Sequence, residues 1–343
     1  MTTLLAGDIG GTKTLLAIYR LEGGSLVQLR CQRYPSAAWD DFSALLSDFL
    51  AGGDPGSERP SHGCLAIAGP VQDRRVRLTN LPWELEELQL EAACGLERLE
   101  LVNDFAVLIY GLPHLGAEQQ AMVRPGQSRP GPLAILGAGT GLGVAIGVPG
   151  PQGLIALASE AAHGEFAPRL EREWRLKQWL QEDLALERVS IERIVSGTGL
   201  GHVFRWVLHD SRTSSTHGLA ESAGLWALAE RRGEAERPDL PALVAAAAGE
   251  GDAPAGAALD LWLGAYGSVA GDLALQSLCR GGLWLGGGTA AKLLPRLRSQ
   301  AFLAPFAAKG RLTPVLEEIP LRALSDPEAG LFSAACRARM LLG

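Results

Sequence analysis

Little in this chain could be cross-linked or gathered around a soft metal. Its five cysteines, at 31, 64, 94, 279 and 336, are odd in number and widely scattered, with no Cys-x2-Cys pair. That spacing indicates neither a disulfide framework nor a zinc knuckle, and a reducing, cytoplasmic compartment is expected. Basic clusters are missing as well. Net charge is −7 and no Lys/Arg run dominates any region, so no nucleic-acid surface is expected. No signal peptide is evident, because Asp8 interrupts the first apolar run and no basic flank precedes it. Residues 130–159 carry no charge at all. A bilayer span needs about 20 helix-compatible residues, and Pro132, Pro149, Pro151 and the glycines around Gly139 spoil that segment as a helix. No membrane partner is expected.

What remains is an ordinary globular composition, 47% hydrophobic and 20% charged over 343 residues, long enough for about two domains. The stretch 4–19 organises the chain. Apolar residues run into Gly7, Asp8, Gly10 and Gly11, and a second apolar run leaves after Thr12 and Lys13. Glycine lets backbone N–H groups approach an anion, and Asp8 can face a cation that bridges phosphates. A Walker A loop does not fit, since Thr12 stands where that motif needs glycine and 14–19 favours a strand over a helix. The pattern predicts a phosphate turn between antiparallel strands; a hairpin with no ligand competes with it.

Alternation predicts a third strand at 27–31, helical spacing a helix over 40–50, and apolar runs strands at 64–68 and 99–102. An acidic helix is expected from Glu84. The strand 99–102 delivers Asn103, Asp104 and Phe105 at its carboxyl end, where open α/β sheets gather ligands. The competing role for such a pair is a helix cap. Residues 133–146 repeat the opening logic: strand, Gly/Thr turn, strand. Two such turns could clamp one polyphosphate. Glu160 and His163 would share a helix face, as in carboxylate metal sites, but no second copy occurs. A substrate loop or an exposed acidic turn are the alternatives. Residues 170–184 read as an amphipathic helix, His209 and His217 as surface histidines, and Asp252 with Pro254 as the start of a helix to about 278. The strand 282–285 enters Gly286, Gly287, Gly288 and Thr289, which fits a loose dinucleotide turn. The acid such a site needs about 20 residues on is absent, so an adenosine cradle is expected instead of an oxidoreductase site. Ser325 and Glu328 suggest a capping box for a last helix.

Together these motifs resemble the bacterial glucokinases of the hexokinase–actin–Hsp70 ATPase superfamily, in their Gram-negative and cyanobacterial type. The carriers are Gly7-Asp8-Ile9-Gly10-Gly11-Thr12, Leu78-Thr79-Asn80 with Trp83, Val102-Asn103-Asp104-Phe105, Gly137-Ala138-Gly139-Thr140-Gly141-Leu142-Gly143, Glu160 with His163-Gly164-Glu165-Phe166-Ala167-Pro168, Ser196-Gly197 with Gly199, and Gly286-Gly287-Gly288. The zinc-containing ROK type is not matched, since no Cys-rich motif follows His163. The resemblance implies an α/β fold with two ribonuclease-H-like (actin-like ATPase) domains around a central cleft. A small domain at 1–112, joined by a C-terminal helix at 325–343, would face a large domain at 113–324. It implies phosphorylation of glucose by ATP with Mg²⁺, Asp104 as base, and Asn103, Asp104, Glu160, His163 and Glu192 on the sugar. Gly7, Asp8, Ile9, Gly10, Gly11, Thr12, Gly139, Thr140 and Gly141 would hold phosphates, with Asp8 reaching magnesium through water. Gly286, Gly287 and Gly288 would line the adenosine pocket. A homodimer is implied too. Lys13 stands where relatives often have Asn. The runner-up is a non-catalytic sugar sensor on the same fold, disfavoured by the acid at Asp104.

Overall fold

The computed structural model describes residues 2–53, 59–78, 81–234 and 236–343. Thr79 and Asn80 of the Leu78 motif lie outside the described residues. The first strands are β1 (Thr3–Ile9), β2 (Lys13–Glu22), β3 (Ser25–Pro35), β4 (His62–Ile67), β5 (Arg75–Arg77), β6 (Glu84–Glu86) and β7 (Arg98–Asn103). The later ones are β8 (Gln120–Arg124), β9 (Leu133–Ala138), β10 (Leu142–Gly150), β11 (Gly153–Ser159), β12 (Gly282–Gly286) and β13 (Leu321–Leu324).

Among the described residues these strands make two large sheets, ordered β3-β2-β1-β4-β7 and β11-β10-β9-β12-β13-β8. In the first, β1 is antiparallel to β2 and parallel to β4, and β4 is parallel to β7. In the second, β9 is antiparallel to β10 and parallel to β12, and β12 is parallel to β13. Leaving aside the added edge strand β8, the two sheets repeat one order and one set of senses. This is the duplicated ribonuclease-H-like topology of the actin-like ATPases.

The helices are α1 (Phe42–Ala51), α2 (Glu87–Cys94), α3 (Leu108–Gly111), α4 (Glu171–Asp183), α5 (Gly197–Asp210), α6 (Ala220–Arg232), α7 (Leu240–Gly249), α8 (Ala253–Ser277), α9 (Gly288–Lys292), α10 (Leu294–Leu297), α11 (Gln300–Ala307), α12 (Thr313–Glu318) and α13 (Ala329–Met340). Their starts follow local chemistry. The Asp41 carboxylate accepts from the Ala44 N–H at the head of α1, and Asp252 accepts from Ala255 at the head of α8, where Pro254 needs no partner for a missing N–H.

Strand alternation sorts the core into layers. Leu5, Leu16 and Leu65 point toward α1 and α2, whereas Leu4, Leu15 and Cys64 point toward Leu331 and Ala335 of α13. That same layer, α3 with α13, receives Leu133, Ile135 and Trp284 from the second sheet. The opposite face of the second sheet, with Leu136 and Leu285, packs on Phe204 of α5, Trp262 of α8 and Phe302 of α11. One helical layer therefore lies between the sheets, and α13 closes the face opened by β1 and β4. Among the described residues no helix is long and apolar enough to cross a membrane.

Three local expectations need correction. Residues 84–86 form a strand, because Glu86 pairs with Arg75 across the β5–β6 ribbon, and α2 starts at Glu87. The capping box at Ser325 does not form. The Ser325 hydroxyl donates to the Glu118 carbonyl, Asp326 accepts from the Glu328 N–H, and α13 begins at Ala329. His217 is not a surface histidine, since its ring lies against Phe204 and its Nε2 pairs with Asp252 at 2.9 Å.

Candidate active site

The first turn follows β1. The Gly10 N–H donates to the Lys13 carbonyl at 2.9 Å. Gly11 is half-buried at the tip and Thr12 is exposed. A residue that sequence reasoning missed holds this turn. Buried Ser36 donates its N–H to the Thr12 carbonyl at 3.1 Å and its hydroxyl to the Gly10 carbonyl at 2.8 Å, and shares a bond with the Thr14 hydroxyl at 3.0 Å. Gly7 is needed for packing, since a Cβ there would lie 2.6 Å from Leu65 Cδ2. Ile9 is fully buried in the core, so at most its backbone borders the turn. Asp8 is half-buried, and burial raises its carboxyl above the usual value; Lys13 opposes the shift and Glu328 adds to it.

At the end of β7 Asn103 caps the turn 104–107 that leads into α3, its Oδ1 accepting from the N–H groups of Phe105 (3.1 Å) and Ala106 (3.0 Å); the helix itself has no side-chain cap. Its amide donates to the Gly69 carbonyl at 3.2 Å and to Asp104 Oδ1 at 3.0 Å. Asp104, whose own N–H bonds the Ile67 carbonyl of β4, is exposed. Crowding raises its carboxyl above the ordinary 3.8, the Asp8 charge raises it further, and the N–H groups of Phe105 and Asp104 with the Asn103 amide pull the other way. Asp8 and Asp104 thus lie within each other's field. The next side chain, Phe105, reaches the other sheet: Cβ atoms added at Gly137 and Gly143 would each fall 2.5 Å from its ring.

The second turn, after β9, is braced from three sides. The Gly139 carbonyl accepts from the Gly197 N–H at 2.7 Å, and the Thr140 carbonyl from the Thr198 hydroxyl at 2.9 Å. Glu192 Oε2 accepts from the Leu142 N–H at 2.8 Å and leaves no room for a Cβ at Gly141. Gly286 ends β12. Gly287 has φ +80° and lies against the Ala138 carbonyl, which also accepts from the Thr289 hydroxyl at 2.6 Å. Gly288 opens α9 with free space beside it.

Glu160 and His163 flank a short 3-10 turn, with carboxylate and ring 3.6 Å apart and side chains 89% and 56% exposed. Their loop is tied to Glu192, whose N–H donates to the Ala162 carbonyl at 3.0 Å. Direct contacts join the 139–141 turn to Glu192 and to the 286–288 turn, while Asp104 feels the charge of Asp8 and its neighbour Phe105 touches the second sheet. Glu160 and His163 join them through backbone. Among the described residues no cluster of three or more His, Cys, Asp or Glu could hold a metal. A single carboxylate beside a glycine turn, next to a second carboxylate, does suit a hard cation that keeps its waters and takes further ligands from phosphate.

An actin-like ATPase scaffold that carries an acid at the end of β7 and glycine turns after β1 and β9 belongs with phosphotransferases of the sugar-kinase class. The comparisons narrow it. The glucokinase family model matches residues 5–341. A glucokinase of Synechocystis sp. is 40% identical over 96% of this chain and 96% of its own length. One of Nostoc sp. is 37% identical over 99% and 100%. The crystal structure of a glucokinase from an Antarctic psychrotroph superposes with TM-score 0.84 at 26% identity, covering 99% of both chains. The chain belongs to the glucokinase family.

Proposed function

We infer that this chain catalyses the ATP-dependent phosphorylation of D-glucose at its 6-hydroxyl, with Asp104 as the base. The observation that carries this reading is the position of Asp104. It lies within the field of Asp8, near the end of β1 and just before the first turn, and its neighbour Phe105 lies against the strands that bear the second. In this reading the division is a small domain at 1–112 with the C-terminal helix, facing a large domain at 113–324.

Asp104 accepts the hydroxyl proton. A carboxylate is a weak base for an alcohol, so proton transfer comes late, which fits a loose transition state. Its raised carboxyl makes it a better acceptor than an ordinary aspartate. The backbone N–H groups of Gly11, Thr12, Thr140 and Gly141 face the phosphates, the Gly10 N–H being held by the Lys13 carbonyl, and Gly286, Gly287 and Gly288 border the adenosine. Asp8 would hold magnesium, through water, and the ion would supply charge neutralisation on the phosphate oxygens. Glu160, His163 and Glu192 hydrogen-bond the ring hydroxyls, and a wrong sugar leaves some of these groups unpaired. Asn103 steers Asp104, and reaches the sugar by exchanging its bond to Gly69. The enzyme is taken to work in the cytoplasm, where ATP is available, as a homodimer, which light scattering measures.

The deciding experiment is a coupled assay of purified protein with ATP against a panel of hexoses, run beside Asp104→Asn. The substitution should cost several orders of magnitude in kcat while glucose binding by calorimetry survives. A near-normal rate removes Asp104 as the base.

A further inference from the structure

We propose that Phe105 is a positioning residue, a ring seated on two glycines of the opposite sheet that fixes Asp104 against the second phosphate turn. The proposal rests on the role of Asp104 inferred above. Gly137 and Gly143 are register partners across β9 and β10. A Cβ at Gly137 would lie 2.5 Å from Phe105 Cε2, and one at Gly143 2.5 Å from Cδ2. Neither glycine has a positive φ, so no turn geometry requires it. Glycine weakens a strand interior, yet here it stands at two facing positions, and the ring is what excludes a side chain at both. The track continues along β10, where a Cβ at Gly147 would lie 2.5 Å from Ile109 Cγ2.

The mechanical consequence follows from adjacency. Asp104 is one residue before the ring, and the backbone between them is held by the Asn103 cap. Gly139 is two residues beyond Gly137, and Leu142, whose N–H Glu192 fixes, directly precedes Gly143. The acid and the turn that would hold the phosphoryl donor therefore share one contact, made by a rigid ring. Each substrate is held mainly by groups outside this contact, so loosening it should leave binding and spoil alignment. Misplacement by about 1 Å can cost about 100-fold in rate.

The test is a double-mutant cycle on the full chain with glucose and ATP, using Phe105→Ala, Gly143→Ala and both together, and Phe105→Leu as a milder form. Each single change should lower kcat by about 10- to 100-fold with both KM values within about threefold. The ratio of ATP cleaved to sugar phosphorylated does not depend on how much enzyme is folded, and it should rise above one as water competes with a misplaced hydroxyl. Gly143→Ala should cost little once the ring is gone, because the three atoms nearest its methyl all belong to that ring. Equal cost of Gly143→Ala in both backgrounds, or a cleavage ratio that stays at one, overturns the proposal. Asp104→Asn measured alongside separates the two failures. If it is inactive while the cycle is additive, the seat is wrong and the base stands; if it is active, the base is wrong.

Discussion

Burial and the Asp8 charge both disfavour the ionised form of Asp104, so the residue that would accept the proton is also a local source of instability. The sign follows from linkage. Below the ordinary value of 3.8 the carboxyl is neutral in folded and unfolded chain alike and nothing is lost. As pH rises through 3.8 toward the raised folded value, the unfolded state ionises first and stability falls. Asp104→Asn should therefore melt higher than the parent at pH 7, and the gap should close below about pH 4; calorimetry across pH checks it. The acid limb of the kcat–pH profile should lie above 3.8 and move down in Asp8→Asn. Ser36→Ala keeps the backbone bond to Thr12 but removes the hydroxyl that holds the Gly10 carbonyl and the Thr14 hydroxyl, and should raise the KM for ATP by about five- to thirtyfold, with KM for glucose unchanged. Asp104 and Asp8 were legible in the sequence because an acid beside glycines at a strand end is a local signal. Ser36 was not, because it meets Gly10 from 26 residues away through a hydroxyl that looks like any loop serine. Gly7 carries a second requirement that the sequence does not show, since strand packing against Leu65 also demands a glycine there.

At the scale of elements, hairpins and long helices were legible from apolar periodicity and Asp caps. Boundaries failed where a tertiary partner outbid the local pattern, as at Glu84–Glu86 and Ser325. The second turn shows a subtler limit. Glu192 was assigned to the sugar by resemblance, and the structure adds that one carboxylate oxygen holds the Leu142 N–H. Glu192→Ala should raise KM for both glucose and ATP, the latter by about tenfold for a lost charge-assisted bond. Glu192→Gln keeps an acceptor for Leu142 and should affect chiefly glucose. Steady-state kinetics with each substrate varied at saturating partner reads the difference, and equal effects of both variants on ATP would exclude the brace.

For the whole molecule, the duplicated fold was expected only through the resemblance carried by the motifs, and the strand order itself, set by long-range pairing, could not be read from local pattern. What the sequence did carry was the recurrence of one strand–turn–strand motif at 4–19 and 133–146. With the α3 and α13 layer between the sheets, glucose bound between the lobes should draw them together. Small-angle scattering should record a smaller radius of gyration with glucose than without, and an unchanged value would mean that the cleft is already shut.

The placement of α13 has a consequence for synthesis. Leu4, Leu15 and Cys64 are covered by Leu331 and Ala335, so a nascent chain carries one bare apolar sheet face from the time β4 leaves the ribosome until α13 follows. At about 5–20 residues per second that interval lasts roughly a quarter of a minute to a minute. Throughout it the amino-terminal lobe is a ready client for chaperones.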